Sequence, residues 1–129
     1  MTYKYMNESD IIAALPKLTD EMIKAHNIQG YEQAAFDKAL ASFVLGCRRI
    51  CEEQGIGTAP EFTIMIGKKN ARIVRGETGQ KSVHCFVNIA SGDVMKAAGW
   101  QGPAKHARGN IFDASNGLER MGAYGPAYL

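Results

Sequence analysis

Between Val94 and Asn110 the chain sets Lys96, its only tryptophan (Trp100) and a Lys105-His106-Ala107-Arg108 cluster among glycines and alanines. Cations beside an aromatic ring suit an anion that carries a flat face. Arginine can grip phosphate with two donors, lysine acts as a point charge, and indole offers a stacking surface. If Ala104 opens a helical turn, its free amides would converge on the same anion. The neighbouring small residues let a ligand or another backbone come close. A second group lies on an expected strand, Lys81 to Ile89. Alternation there puts Val83, Cys85 and Val87 on one face and Ser82, His84, Phe86 and Asn88 on the other. The first face suits a core. The second mixes a histidine and an aromatic ring, next to strands carrying Arg72 and Lys96. The candidate ligand-binding residues are therefore Arg72, His84, Phe86, Lys96, Trp100, Lys105, His106 and Arg108. Structural alternatives stand beside them: Phe86 packing under the C-terminal segment or a partner subunit, Trp100 anchoring the last segment, and Arg108 pairing with Asp113.

Other constellations fall short of chemistry. Cys47 and Cys51 share a helical face, but within an apolar stripe, where free cysteine behaves as a small buried hydrophobe. Cys85 and His84 are neighbours on a strand and point to opposite faces, so they cannot chelate together. No metal site is expected, and no cofactor. Gly76-Glu77-Thr78-Gly79-Gln80-Lys81-Ser82 lacks the glycine directly before Lys-Ser that a phosphate loop needs, and a strand follows it. It reads as a hairpin turn. No nucleophile elbow or catalytic-cysteine signature is present, and Asp93 and Asp113 fit a turn and a helix cap. The chain is expected not to be an enzyme.

The elements that must position these residues change character at Pro60. Ser9-Asp10 can cap a first helix through Ile23, kinked or restarted at Pro16. Asn27 to Gly30 reads as a turn. Tyr31 to Gln54 is the clearest helix, with Ala35, Phe36, Ala39, Leu40, Phe43, Val44, Cys47, Ile50 and Cys51 on one stripe and Gly55 as C-cap. After Pro60 the period becomes alternating. Glu61 to Gly67, Ala71 to Arg75, Lys81 to Ile89 and Val94 to Ala98 are expected strands, joined by short Gly-rich turns. Asp113 can cap a short helix over Ala114 to Arg120. The tail from Gly122 is too glycine-rich for regular structure, and Tyr124 and Tyr128 are expected to dock it on the body. The expectation is one α+β domain over residues 1–129. A helical part (1–59) packs on a four-stranded antiparallel meander in a basic part (60–129), completed by short C-terminal helices and an ordered tail.

Charge follows the same division. Residues 1–59 hold six Lys and Arg against eight Asp and Glu, and residues 60–129 hold nine against five. Between Lys68 and Arg108 the count is eight against two, enough to attract a polyanion if the charges share a face. With three cysteines, no secretory leader and no long apolar run, the chain is expected in the cytoplasm, away from membranes.

The segments Ser82-Val83-His84-Cys85-Phe86-Val87, Gly92 to Trp100 and Pro103 to Ile111, with the tail Tyr124 to Leu129, resemble a group of small, uncharacterised bacteriophage proteins. The resemblance covers roughly the last half of the chain. It implies a viral origin, action in the host cytoplasm or in the virion, and no established activity. Together these readings give a non-enzymatic binder of an anionic ligand, nucleic acid first. The alternatives are a homo-oligomeric virion or interaction protein, or an inhibitor of host defence that binds a nucleotide messenger or a host protein.

Overall fold

The computed structural model describes residues 3–4, 8–14, 33–54, 60–77, 80–122 and 125–126. Over these the chain is α+β. In order it forms β1 (Tyr3–Lys4), α1 (Glu8–Ala14), α2 (Gln33–Glu53), β2 (Glu61–Ile66) and β3 (Asn70–Glu77). There follow β4 (Gln80–Asn88), β5 (Asp93–Ala97), β6 (Pro103–Asn110), β7 (Met121–Gly122) and β8 (Gly125–Pro126). Strands β2 to β6 pair in chain order as an antiparallel meander, with short β1 added beside β2. β7 and β8 form a separate hairpin.

Hydrophobic spacing explains how α2 meets the sheet. Phe36, Leu40, Phe43, Val44, Cys47 and Cys51 recur at helical spacing and are buried, whereas Lys38, Ser42 and Arg49 are exposed. The buried stripe joins one core with Ile11 of α1 and with Phe62, Ile64, Ala71, Ile73, Cys85, Val87 and Val94 of the sheet. All three cysteines are free and buried there. Burial pushes the Cys47 thiol up, and the nearby Cys85 and Cys51 add to the shift. Among the described residues, no helix is long and apolar enough to cross a membrane.

One bulge redirects the sheet. Pairing runs Ile73 with Cys85 but Val74 with Val83, which leaves His84 as an extra residue on β4. His84 therefore joins the core side, where its ring meets Phe62 edge-on at 5.0 Å and its Nδ1 lies 3.5 Å from Arg75 Nη1. The expectation that His84 shares a face with Phe86 is corrected by this insertion. Phe86 stays on the opposite face, directly across from Arg72.

Four further expectations change. Residues 104–108 form part of strand β6, a fifth strand of the meander, and not a helical turn. Backbone pairing of Met95 with Ala107 and of Ala97 with Pro103 anchors this stretch to β5, and His106 sits at φ 73, outside the right-handed helical region. The short helix expected after Asp113 is a series of turns. Asp113 does accept the amides of Ser115 and Gly117 at 2.9 Å, as a cap would, and the Gly117 amide most strongly holds its carboxyl below the usual range. The chain cannot continue as a helix, because Asn116 (φ 57) and Gly117 (φ 76) are both left-handed. Asn116 Nδ2 instead donates to Ile111 O at 2.7 Å and to Ala39 O of α2 at 3.1 Å, tying the turns to the helix. The tail, expected to be irregular, contributes β8, whose Gly125 rests on the backbone of His84. At the N-terminus, α1 begins at Glu8, so Ser9 and Asp10 lie in its first turn rather than before it. The expectations about Pro16, the Asn27–Gly30 turn, Gly55, Tyr124 and Tyr128 fall outside the described residues.

A methyl group at Gly125 would stand 2.5 Å from the His84 carbonyl oxygen at φ 105, so Gly125→Ala should cost about 1–3 kcal/mol in denaturant unfolding. Gly99→Ala, where nothing lies within 4 Å, should change stability by less than about 0.5 kcal/mol. Acid provides a second check. Burial, then the charges of Arg75 and Lys96, lower the His84 pKa from 6.5 to about 3. Between those values the unfolded chain binds a proton that the folded chain refuses, so stability is lost as pH falls through that window. The urea midpoint should drop from about pH 7 to about pH 5, and His84→Gln should flatten the drop. Equal drops in both proteins would rule out His84 as its source.

Candidate nucleic-acid interface

The face of the sheet turned away from α2 is organised by register. Met65 of β2 pairs with Arg72 of β3, Arg72 with Phe86 of β4, Phe86 with Met95 of β5, and Met95 with Ala107 of β6. Cross-strand partners project from the same face, so these side chains form one row. Beyond β5 the chain turns through residues 98–102, closed by the Ala98 amide donating to Gly102 O at 3.1 Å, and this loop brings Trp100 over the row. The Arg72 guanidinium carbon lies 5.0 Å from the Trp100 ring centroid and 5.7 Å from that of Phe86. Both distances are within the range of a cation–π contact. Phe86 is buried, whereas Trp100 is 41% exposed.

Arg72 is only partly satisfied. Its Nη1 donates to Met65 Sδ at 3.7 Å, a weak acceptor, and its Nε is buried without a hydrogen bond. Among the described residues the guanidinium has no oxygen partner. Beside it, a groove of about 390 Å³ opens between the β2–β3 hairpin and Gln101. Arg72, Phe86 and Asn70 wall the groove, Lys68 and Lys69 sit at its rim, and no Asp or Glu among the described residues lines it. Both lysines are exposed. The hairpin that carries them is fixed by the Gly67 amide on Asn70 O and the Ile89 amide on Lys69 O, each at 2.9 Å. Asn70 Oδ1 is a second buried atom without a partner. This arrangement can hold an anion at one end and a flat ring at the other.

The structure thus gathers Arg72, Phe86 and Trp100, and separates the remaining candidates from them. The bulge takes His84 to the core side, where it is neutral at ordinary pH. Alternation takes Lys96 to that side as well, where its Nζ donates to Pro126 O at 3.0 Å and its charge depresses His84. Lys105, His106 and Arg108 lie on the edge strand β6. Arg108 is the extra residue of a β5–β6 irregularity, and its Nη1 donates to Lys105 O at 2.6 Å and His106 O at 2.7 Å. Its donors brace the left-handed backbone of its own strand, and Asp113 spends its carboxylate on amides rather than on Arg108. Lys105 and His106 are exposed but outside the groove. Lys68, Lys69 and Asn70 belong to the site and were missed, because Gly67-Lys68-Lys69-Asn70 reads simply as a turn. The available signal was its position, one residue before the strand that carries Arg72.

Among the described residues no group of His, Cys, Asp or Glu is arranged to hold a metal ion. No curated protein and no solved structure matches the chain. Residues 7–127 do match a family of unknown function, DUF7717, and the protein, matched over nearly its whole length, belongs to that family.

Proposed function

We propose that this protein is a non-enzymatic binder of single-stranded nucleic acid, using the outer sheet face around Arg72. What carries the reading is the Arg72 guanidinium held against Phe86 and an exposed Trp100, beside a lysine-rimmed groove that no carboxylate among the described residues lines. Aromatic rings accept bases of any sequence and cations follow the backbone, which is how single strands are held without base-specific hydrogen bonds. A groove of about 390 Å³ is of nucleotide scale and suits an unpaired base better than a duplex. The phage-type origin, and action in the host cytoplasm, rest on the sequence likeness alone. A nucleotide messenger has the same chemistry, and calorimetry with cyclic dinucleotides against oligonucleotides separates the two ligands. A homo-oligomeric interaction protein is the second reading, favoured by the exposure of Trp100 and Phe112, each 41%.

Labelled single-stranded octamers should bind with affinity that falls with salt, at a log–log slope of roughly −2 if Lys68, Lys69 and Arg72 each meet a phosphate. Trp100→Ala should weaken binding by about 1–3 kcal/mol, and the double change K68A/K69A should flatten the slope by about 1.4. Affinity indifferent to both salt and Trp100 would refute the reading.

A further inference from the structure

The protonated Arg72 side chain is in an unusual position for a cation at a groove wall. It has a planar fork of donors, yet it faces two rings and a thioether sulfur, with Nε covered and unbonded. Leaving a buried charged donor without an oxygen acceptor is unfavourable, and a cation–π contact compensates only in part. The ring above it sits on a short loop whose glycines, Gly99 and Gly102, have open space around them, so packing does not restrain the loop there. Arg72 lines the groove and Trp100 does not, so a phosphate entering there competes with the indole for the same charge.

We propose that the site recognises its ligand through a phosphate group that replaces the Trp100 ring on Arg72, making the loop of residues 98–102 a gate. This rests on the function proposed above and deepens it. A phosphate offers the guanidinium a bidentate, charge-assisted partner that neither ring can supply. The exposed Lys68 and Lys69 draw the anion to the groove, and Asn70 Oδ1 can accept a ligand hydroxyl or amino group as the wall opens. The displaced indole, still tethered beside the groove, becomes the surface on which the adjoining base stacks. Phosphate capture and base stacking are then one coupled event.

Because Trp100 is the only tryptophan, its fluorescence reports the gate directly. The whole protein is titrated with a labelled thymidine octamer and with an abasic octamer, which offers the same phosphates without bases. Label anisotropy reads binding, and acrylamide quenching reads Trp100. The abasic octamer should raise the quenching constant roughly twofold, towards that of ligand-free Arg72→Ala, as expected for loss of one modest ring contact. The thymidine octamer should shift the Trp100 emission as the base covers the ring. A bound octamer with unchanged Trp100 quenching and emission overturns the gate and leaves the binding function standing. An abasic octamer that does not bind where the thymidine octamer saturates also overturns it. Binding of neither octamer overturns the gate and the function together.

Discussion

Strict alternation along β3, checked by a single inserted residue on β4, sorts this protein's polar chemistry onto two faces. Ala71, Ile73 and Arg75 point towards α2, and Arg72 points the other way. From Cys85 to Asn88 the partner strand keeps step, so Phe86 stands beside Arg72. At His84 the extra residue resets the order, and a histidine that plain alternation would send outwards is turned in against Phe62 and Arg75. Without that insertion the outer face would gain an imidazole, and Phe62 would lose its edge-on partner on the core side.

The two faces have different economies of charge. On the core side burial, helped by the charges of Arg75 and Lys96, keeps the His84 imidazole neutral, and Lys96 is occupied by a backbone carbonyl of β8. Lys96, with the His84 backbone beneath Gly125, holds the C-terminal hairpin in place. On the outer side Arg72 has rings in place of oxygens, and the lysines at the hairpin tip project into solvent. A cation whose donors already hold backbone carbonyls is committed to the architecture; one with no oxygen acceptor among the described residues, beside an open groove, is available to a ligand. The same distinction places Arg108, braced on its own strand, with the architecture.

Much of the fold was legible in the chain. The apolar stripe of α2, the four strands from Glu61 to Ala97 and the turns after Ile66 and Asn88 follow from periodicity and from glycine placement. The fifth strand was not, because Pro103 to Asn110 has weak strand character and is held extended by pairing with β5. Nor was the turn sequence after Asp113, where two consecutive left-handed residues rule out the helix that its cap announces. For the candidate site, sequence proximity was the misleading signal. Lys96, Lys105, His106 and Arg108 neighbour Trp100 along the chain, yet Trp100 folds back onto Arg72, whose partners are set by register across strands. No periodicity reveals a bulge, so His84 could not be assigned to its face beforehand.

Amide and indole chemical-shift mapping during titration with a single-stranded octamer tests the central claim most directly. The account requires the largest shifts at Lys68 to Arg72, Phe86 and the Trp100 indole, with His84 and Lys96 nearly unmoved. Shifts centred on Lys105 to Arg108, with the Trp100 indole unaffected, would contradict it.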